Sequence, residues 1–426
     1  MVEFALNAQQ TKWVEIARTL AKTFGKRARH FDEAGVFPRQ DMEDCKAAGL
    51  LKLAVPREYG GEGSEAGFCD WLPHLVVEAI ATESGGTAWC LLTHFHGCGM
   101  IAGLGSDEQK RTYFTEVVEK GALIASVGSE VMPQQMKSLV ATAGPLIDYS
   151  GLKLVPGGVS ASGKKGFTST AKEADYMVLW GRAPGTEGSS DGMTLSVVPV
   201  KSDGVSFLPG WEEAIGIRSS ESGGAELNNV FIPWTNVMGQ PGDVVQDHPY
   251  PFEISYGWVL LGLSQGALNF IQETLASREY LQEDDHTINI FGEMLSDLQA
   301  TRASLWYAQW LWQQGDFGEA TDASLCAQNQ AKRTAIRIAT QGFEVVGVRG
   351  LFKFNPLERI WRDIRTVTLH TRESQLMRLV SEGALKGNKF PKKKYGKQIK
   401  ERRTWEQLIR EADGQPAPLG QVAVNA

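Results

Sequence analysis

The pattern of hydrophobic and polar positions divides the chain into three zones, and the first zone is helical. From residue 9 to about residue 120, apolar residues recur every three or four positions, as Trp13, Ile16 and Leu20 do. This is the repeat of an amphipathic helix, and Gly25 is predicted to end the first one. A second predicted helix leads into LLKLAVPREYGGEG, whose proline and glycines end regular structure before the apolar run LVVEAIA.

The middle and last zones show different periods. Between about residues 121 and 240, short β-rich runs such as YMVLWGR and LSVVPV alternate with turn clusters such as PGG and KSDG, which predicts a β domain. After Pro251 the helical signals return, in segments long enough to pack as a bundle. The predicted fold is therefore α+β, with an N-terminal α-helical domain at 1–120, a middle β-barrel or sandwich domain at 121–240, and a C-terminal four-helix bundle with a basic tail at 241–426.

Composition narrows the classes of function. The chain has 426 residues, 42% of them hydrophobic, and its 43 Lys and Arg against 50 Asp and Glu give a formal charge of −7. This balance provides no whole-molecule field for nucleic acid. The N-terminal stretch lacks a basic region followed by an apolar core, and no run of about 18 apolar residues could span a membrane. We expect a cytoplasmic protein that acts on a small molecule, with no nucleic-acid and no membrane partner.

Three short motifs support only weak interpretations. GGVSASGKK is close to a P-loop, but Lys165 stands where a hydroxyl residue should hold magnesium, and the motif lies between strands. His94 and Cys98 in THFHGCG share one helix face, but a single pair of ligands does not make a metal site, and we predict none. The basic tail at 386–403 is either an anion site or a solvated segment. The five scattered cysteines indicate reduced, mostly buried thiols.

Four longer segments occur in a characteristic order along the chain: LKLAVPREYGG, GKKGFTSTAKEADYMVLWGR, AELNNVFIPWTNVMG and GVRGLFKFNPLERIWRDIRT. Together with the α–β–α zoning they resemble the acyl-CoA dehydrogenase superfamily. The resemblance implies a flavoprotein whose isoalloxazine ring lies between the β domain and the C-terminal bundle, usually within a homotetramer.

The same resemblance assigns roles to residues of the β domain. SVGSE matches the strand that lines the pyrimidine side of the flavin, which implies contacts from Ser126 and Ser129. GKKGFTST matches the second flavin strand. It places Phe167 and Thr168 beside the ring and Ser169 where a hydroxyl bonds flavin N5.

Residues of the C-terminal zone match the dinucleotide half of the cofactor site. Arg278 corresponds to an arginine that reaches a cofactor phosphate, usually across a subunit interface, and a guanidinium suits that task. Gly347 and Gly350 correspond to a phosphate loop, although Glu344 and Val348 depart from its pattern. The sequence therefore leaves FAD and FMN as open alternatives.

The segment RDIRTVTLHTRESQL at 362–376 lacks an expected carboxylate. The position of the catalytic glutamate in ordinary acyl-CoA dehydrogenases is occupied by Thr371, and the alternative position used by isovaleryl-type enzymes is Ser255. Abstraction of a proton next to a thioester requires such a base. The aspartate that nitroalkane oxidases carry at the Thr371 position is absent too, so proton-abstraction chemistry is disfavoured.

The remaining branch of the superfamily resembles dibenzothiophene monooxygenase and the amino-sugar N-oxygenases. Leu369 and His370 match its Leu-His pair, and the stretch from Trp211 to Ser222 matches its W-x-x-x-x-G-x-R-x-x-x-S pattern. Members of this branch bind FMNH2 or FADH2 supplied by a separate flavin reductase and let O2 react with it. They need hydrogen-bonding groups near the reactive part of the flavin, and Ser169, His370 and His94 are the candidates. For both histidines a purely structural role is the alternative.

The leading hypothesis is therefore a flavin-dependent monooxygenase that oxidises an apolar or aromatic small molecule or a thioester. Tryptophans such as Trp258 are expected to line an apolar pocket. A dehydrogenase with a displaced base is the first alternative. A non-catalytic subunit that supports an active homologue in a mixed tetramer is the second.

Overall fold

The chain folds into a helical N-terminal part, two β-sheets and a helical C-terminal part. The structure is a computed structural model and describes residues 5–63, 70–131, 141–142, 151–186, 192–246, 252–315, 317–386 and 403–413. This arrangement confirms the predicted α+β fold. Cys69 and nearly all of the basic tail lie outside the described residues.

The N-terminal part is built from helices around one apolar core. Its described α-helices are α1 (Ala8–Ala34), α2 (Arg39–Ala47), α3 (Trp71–Ala81), α4 (Gly85–Leu104) and α5 (Asp107–Lys120). A 3-10 helix at Leu50–Ala54 follows α2. Almost every residue of α4 is buried, so this helix is surrounded by protein and shows no amphipathic repeat.

Helix α1 continues through Gly25, so the predicted end at that residue is wrong. A glycine inside a helix costs only about 1 kcal/mol relative to alanine, and tertiary packing overrides it here. A Cβ at residue 25 would lie 2.6 Å from Oε2 of Glu83, so the glycine allows that side chain a close approach. The helix ends at Gly35, whose φ of 63° is the left-handed conformation that glycine adopts most easily.

The middle part forms two sheets. The strands are β1 (Ile124–Val127), β2 (Glu130–Val131), β3 (Ala141–Thr142), β4 (Leu152–Val155), β5 (Gly158–Lys165), β6 (Tyr176–Arg182), β7 (Met193–Pro199), β8 (Val205–Leu208), β9 (Gly224–Pro233) and β10 (Val237–Met238). One sheet has the order β1-β6-β7-β10, and the other has the order β3-β2-β5-β9-β8 with β4 paired to β5. The pairing of β1 with β6 is parallel, and the other described pairs are antiparallel.

The P-loop-like motif is part of a strand. Its residues form β5, which pairs with β9 on one side, and a loop follows it where a P-loop would have an α-helix. The lysine at its end, Lys165, is fully buried and forms an ion pair with Glu130. Loss of solvation lowers the pKa of Lys165, and Glu130 opposes that effect. The motif is therefore a strand that contributes to the interior of the β domain.

The C-terminal part is helical. Its described helices are α6 (Asp243–Gln246), α7 (Phe252–Ala276), α8 (Glu279–Gln282), α9 (Asp285–Gln314), α10 (Phe317–Val346), α11 (Pro356–Thr368), α12 (Glu373–Lys386) and α13 (Trp405–Ala412). Helices α7, α9, α10 and α11 pack against one another as the predicted bundle. Helix α13 leaves the bundle, and its Trp405 and Leu408 join the apolar core of the β domain.

Two further observations concern membrane-spanning helices and cysteines. None of the helices in the described ranges is long and apolar enough to cross a membrane. Of the four cysteines in the same ranges, Cys45, Cys90 and Cys98 are buried and Cys326 is exposed, and all four are free thiols.

Candidate active site

Two loops of the middle domain hold an unusual backbone where they meet. The first loop follows β5, and the second precedes β9. Each contains two non-glycine residues with positive φ: Phe167 at 55° and Thr170 at 67° in the first, Ile217 at 49° and Glu221 at 45° in the second. Such conformations cost about 1–3 kcal/mol each and persist only where surrounding structure fixes them. Their concentration at one place indicates a functional site.

Main-chain hydrogen bonds fix these loops to each other. The amide of Thr168 donates to the carbonyl of Gly223 at 2.9 Å, and the amide of Thr170 donates to that of Ser220 at 3.0 Å. The hydroxyl of Thr168 also donates to Gly223 at 3.2 Å. Ser169 lies between the two cross-links, so its backbone is held in one position.

A chain of hydroxyl groups runs inward from Ser169. Its oxygen accepts the indole N–H of Trp89 at 3.1 Å and lies 2.5 Å from Oγ of Ser222. Ser222 lies 2.6 Å from Oγ of Ser220, and Ser220 donates to the carbonyl of Ile217 at 2.8 Å. We call Trp89, Ser169, Ser222, Ser220 and the Ile217 carbonyl the hydroxyl chain. All three serines are buried.

Two aromatic side chains contact Trp89 on the other side, and two more extend the group. The ring of Trp89 stacks on Tyr256 with centroids 5.6 Å apart, and His370 meets Trp89 edge-on at 5.4 Å. Tyr256 meets His370 at 4.2 Å and His96 at 5.7 Å. Phe252 continues the set, 4.8 Å from His96. We call Trp89, His96, Phe252, Tyr256 and His370 the aromatic cluster.

Helix periodicity explains which histidine of α4 joins this cluster. Trp89 and His96 are seven residues apart, which is about two turns, so both side chains lie on one face of the helix. Thr93 lies between them on the same face. His94 points to a different side, towards the 3-10 helix and β1.

Both ring nitrogens of His94 form hydrogen bonds with the backbone, so we do not retain this residue as a donor to substrate or flavin. Its Nδ1 accepts the amide of Ile124 at 3.1 Å, and its Nε2 lies 2.8 Å from the carbonyl of Leu51. Since Nδ1 is an acceptor, Nε2 carries the hydrogen and donates. Burial lowers the pKa of His94 to about 4, so the ring is neutral. The alternative weighed for this residue, a structural histidine, is what the geometry favours.

His370 lies at the turn between α11 and α12 and remains available. Its side chain is exposed, and within the described ranges its ring nitrogens make no hydrogen bond. The surrounding protein, and next the positive charge of Lys332, lower the pKa of His370. Lys332 itself is buried and donates to the carbonyl of Thr371, which fixes the turn that carries the histidine.

The two positions expected to lack a catalytic base, Thr371 and Ser255, form hydrogen bonds with neighbouring residues. Thr371 contributes its carbonyl to Lys332. Ser255 is buried, and its hydroxyl donates to the carbonyl of Phe252 at 2.7 Å. Because its hydrogen is used there, Ser255 accepts from Nε2 of His96 at 3.0 Å. Burial, followed by the charges of other histidines, lowers the pKa of His96 well below its ordinary value.

The tryptophan-to-serine pattern has a structural explanation in the second loop. The indole of Trp211 donates to the carbonyl of Ile217 at 2.9 Å, and its ring meets Phe167 edge-on at 5.7 Å. A Cβ at Gly216 would lie 2.2 Å from the carbonyl oxygen of Arg362, so only glycine allows this approach to α11. Nε of Arg218 donates to the carbonyl of Asp32 at 2.7 Å and ties the loop to α1.

Ser126 and Ser129 lie on and just after β1. The hydroxyl of Ser126 points to Sδ of Met100 at 4.0 Å, and the carbonyl of Ser129 accepts the amide of Gly166 at 3.1 Å. Both serines are half-buried. Ser129 is therefore tied to the loop that carries Ser169, and its contact with a flavin stays a prediction.

The residues expected at the cofactor phosphates form a separate group. Nη1 of Arg278 donates to the carbonyl of Val346 at 3.2 Å, and the amide of Gly350 donates to the carbonyl of Gly347 at 2.9 Å. Arg278 follows the C-terminal end of α7, whereas Tyr256 is the fifth residue of that helix. At 1.5 Å per residue, the helix separates the two groups by about 30 Å. Within one chain, Arg278 therefore lies far from Tyr256 and the aromatic cluster.

Trp258 does not line the site. It is fully buried between α3 and α7, and its ring stacks on His74 with centroids 6.1 Å apart. It lies two residues from Tyr256, which places it on another face of α7. The expectation that this tryptophan faces a substrate is wrong.

Several members of the site escaped the sequence-based prediction. The sequence alone predicts no site role for four residues, Trp89, His96, Tyr256 and Ser220, although the seven-residue spacing of Trp89 and His96 is typical of one helix face. The hydroxyl chain could not be found this way, because its serines come from different loops. In the described ranges, no group of three or more His, Cys, Asp or Glu side chains is arranged to hold a metal ion.

Comparison with known proteins defines the class. Residues 7–120 match the N-terminal domain of acyl-CoA dehydrogenase, and residues 254–375 match its C-terminal domain. The two matches cover more than half of the chain, and the chain belongs to the acyl-CoA dehydrogenase superfamily.

Particular relatives lie in the monooxygenase branch. Dibenzothiophene monooxygenase of Rhodococcus erythropolis is 29% identical over 88% of this chain and 93% of its own length. A probable FMNH2-dependent monooxygenase of Pseudomonas putida, SfnC, is 24% identical over 83% of this chain and 90% of its own length. The structure of TdsC from Paenibacillus sp. A11-2 with FMN and indole superposes with a TM-score of 0.80 at 21% identity, over 90% of this chain and all of that one. These matches confirm the predicted superfamily and its monooxygenase branch.

Proposed function

We propose that the protein is a flavin-dependent monooxygenase that uses reduced flavin and O2 to oxidise a small apolar or aromatic molecule. The observation that carries this proposal is the chemistry of the site. The hydroxyl chain and the aromatic cluster consist of hydroxyl, indole, phenyl, phenol and imidazole groups, without a carboxylate among their members. The two positions that hold a base in dehydrogenases carry a serine bonded to His96 and a threonine beside Lys332.

The residues present fit an isoalloxazine ring. The site offers a fixed hydroxyl at Ser169, two neutral histidines and flat aromatic faces at Trp89 and Tyr256. A planar, mostly apolar heterocycle with a few polar edge atoms suits such a mixture. When bound in its reduced form, the flavin would supply the two electrons needed to use O2. One oxygen atom would enter the substrate, and the other would leave as water.

The chain's own residues would then have three tasks. Ser169 would hold the polar edge of the ring, because the two loops fix its position. Trp89 and Tyr256 would exclude water and contact an apolar substrate. His370, exposed and neutral, would donate or accept a hydrogen bond beside the reacting atoms without adding charge. Preorganised donors of this kind stabilise developing charge because they need no rearrangement.

The separation of the two groups supports a proposal about assembly. We propose that Arg278, Gly347 and Gly350 serve the phosphate end of a flavin whose ring lies in another copy of the chain, within a homotetramer. Reduced FMN or FAD would come from a separate flavin reductase, and the protein would act in the cytoplasm. The mass of the particle in solution, from light scattering, tests the assembly.

Turnover with isotopically labelled dioxygen tests the proposed reaction. The purified protein is supplied with NADH, a flavin reductase, FMN or FAD, and an aromatic sulfur or nitrogen heterocycle such as dibenzothiophene or indole. We expect a product that contains one labelled oxygen atom. Flavin binding without labelled product from a broad panel of apolar substrates would contradict the proposal, and failure to bind flavin would favour the non-catalytic subunit.

A further inference from the structure

We infer that the hydroxyl chain makes the site select reduced flavin over oxidised flavin. The selectivity would reside in Trp89, Ser220 and Ser222, which hold the hydroxyl of Ser169 in one orientation. The inference rests on the proposed function, since it takes Ser169 to meet the N5 edge of the ring. It adds a specificity-determining task for residues that lie behind Ser169.

The inner end of the chain fixes the direction of its hydrogen bonds. A serine hydroxyl has one hydrogen and two lone pairs. Ser220 uses its hydrogen on the carbonyl of Ile217, which can only accept. In the 2.6 Å contact between Ser220 and Ser222, the hydrogen must therefore come from Ser222. In the 2.5 Å contact between Ser222 and Ser169, it must then come from Ser169.

The hydrogen bond at the outer end of the hydroxyl chain is consistent with donation from Ser169 inward. The indole N–H of Trp89 can only donate, and it donates into Oγ of Ser169 at 3.1 Å. Ser169 thus receives one hydrogen bond and gives its own hydrogen inward. One lone pair remains on its oxygen, and no hydrogen remains for a ligand. Towards the cleft, Ser169 is an acceptor.

The hydroxyl chain is buried, so water does not easily reverse the direction of its hydrogen bonds. Ser169 is 8% exposed, Ser222 is 3% exposed and Ser220 is fully buried. Reversal would turn the Ser220 hydrogen away from Ile217 and forfeit that hydrogen bond. The loss of one buried neutral hydrogen bond corresponds to a factor on the order of ten in an equilibrium constant. The preference for one orientation should be of similar size.

The two redox states of flavin differ at the atom concerned. Reduced isoalloxazine carries a hydrogen on N5, whereas oxidised isoalloxazine presents a lone pair there. As an acceptor, Ser169 can form a hydrogen bond with the N5 hydrogen of reduced flavin. In oxidised flavin, the N5 lone pair would instead face the lone pair of Ser169. Selection of this kind suits an enzyme that takes reduced flavin from a reductase and releases oxidised flavin after turnover.

Flavin affinities measured in both redox states test the inference. FMN is titrated into the full-length protein, aerobically for the oxidised form and anaerobically after chemical reduction, with tryptophan fluorescence as the readout. We expect the reduced form to bind on the order of ten times more tightly. The same ratio should raise the midpoint potential of bound FMN by about 30 mV over free FMN, since a tenfold ratio equals about 30 mV for two electrons.

Variants locate the origin of the preference. Ser222→Ala removes the acceptor for the Ser169 hydrogen, so Ser169 becomes able to donate to oxidised flavin. We expect oxidised FMN to bind more tightly than in the wild type and the ratio to fall towards one. Ser220→Ala frees Ser222 to donate outward, so it should change the ratio of reduced to oxidised FMN affinity in the same direction. This variant replaces Ser222→Ala if that protein misfolds. Ser219→Ala, in the same loop but outside the chain, is the control and should keep the wild-type ratio.

Each outcome has a clear consequence. Equal affinity for both redox states in the wild type overturns the inference and leaves the proposed function intact. A wild-type preference that persists in well-folded Ser222→Ala and Ser220→Ala also overturns it, because the preference then has another source. Absence of binding in either state contradicts the proposed function and the inference together.

Discussion

The hydroxyl of Ser255 accepts a hydrogen bond from Nε2 of His96 at 3.0 Å, at one of the two positions where relatives that act as dehydrogenases carry a base. The pair is buried, and the ring of His96 touches Tyr256 and Phe252. A neutral histidine and a serine thus stand where a carboxylate would be needed for proton abstraction. This relationship is why the site suits oxygen chemistry better than dehydrogenation.

Ser169→Ala tests the outer member of the hydroxyl chain in turnover. Removing one buried neutral hydrogen bond typically costs about 1 kcal/mol. We expect product formation to fall on the order of tenfold, with more hydrogen peroxide formed per reduced flavin, because the bound flavin loses a fixed acceptor. Product and peroxide are quantified in the same reaction, and unchanged coupling would show that Ser169 is structural.

His370→Ala tests the exposed histidine of the aromatic cluster. The ring is exposed and has no hydrogen bond within the described residues, so losing its contacts with Trp89 and Tyr256 should destabilise the fold only slightly. We expect an unfolding midpoint close to that of the wild type together with a lower yield of product per reduced flavin. His30→Ala, at an exposed position of α1, is the matched control and should keep full coupling. Wild-type yield in the His370 variant would remove this residue from the mechanism.

His94→Gln tests the structural role that the geometry gives to this histidine. Burial lowers its pKa in the folded state from 6.5 to about 4. Between these values the unfolded chain binds the proton and the folded chain does not, so stability falls as the pH falls. For this single group the loss from pH 6.5 to pH 4 is about 3 kcal/mol.

Chemical denaturation at several pH values measures this contribution. Below pH 6.5, the free energy of unfolding should depend less steeply on pH in His94→Gln than in the wild type. The variant should also be less stable at neutral pH, because the bonds to Ile124 and Leu51 are weakened. Identical pH dependence in the two proteins would contradict the assignment.

The histidines illustrate what the sequence could and could not provide. The helical and β zones followed from periodicity, because local spacing determines secondary structure. Ser169 was indicated by the resemblance of its segment to a family motif, and its contact with flavin stays a prediction. Periodicity could not decide between His94 and His96, because the sequence does not tell which face of a fully buried helix meets the cleft. The expectation for Trp258 was wrong for the same reason, because nearly every residue of α7 from Ile254 to Ser264 is buried.

Asp363→Asn tests a buried carboxyl that supports the second loop. Its Oδ1 accepts the amide of Ile217 at 2.6 Å, which lies at the inner end of the hydroxyl chain. Burial, and next the charge of Asp32, raise the pKa of Asp363 from 3.8 to about 7. The folded state therefore holds the proton more firmly than the unfolded state, and stability falls as the pH rises from 3.8 to 7.

Asparagine keeps an oxygen acceptor but cannot ionise. We expect Asp363→Asn to lose less stability than the wild type between weakly acidic pH and pH 8. Thermal unfolding across this range measures the difference. A variant whose melting temperature follows the wild-type curve at every pH would show that Asp363 does not titrate in this way.

A mixing experiment tests the proposal that the two ends of the flavin are held by different copies. Ser169→Ala and Arg278→Ala should each weaken every site in a homo-oligomer. In a mixed oligomer of the two variants, some sites combine an intact Ser169 from one copy with an intact Arg278 from another. Co-expression should therefore restore part of the flavin binding and activity. Mixtures no better than the separate variants would place both ends of the site within one chain.

The most direct test of the monooxygenase assignment compares two half-reactions on one preparation. Flavin-loaded protein is mixed anaerobically with a panel of acyl-CoA thioesters, and a second sample, reduced beforehand, is mixed with O2 and an aromatic heterocycle. We predict that the thioesters leave the visible absorption of oxidised flavin unchanged and that the reduced sample forms oxygenated product in a single turnover. Rapid loss of the flavin absorption with any acyl-CoA, without oxygenated product in the second sample, would contradict the account and identify a dehydrogenase with a displaced base.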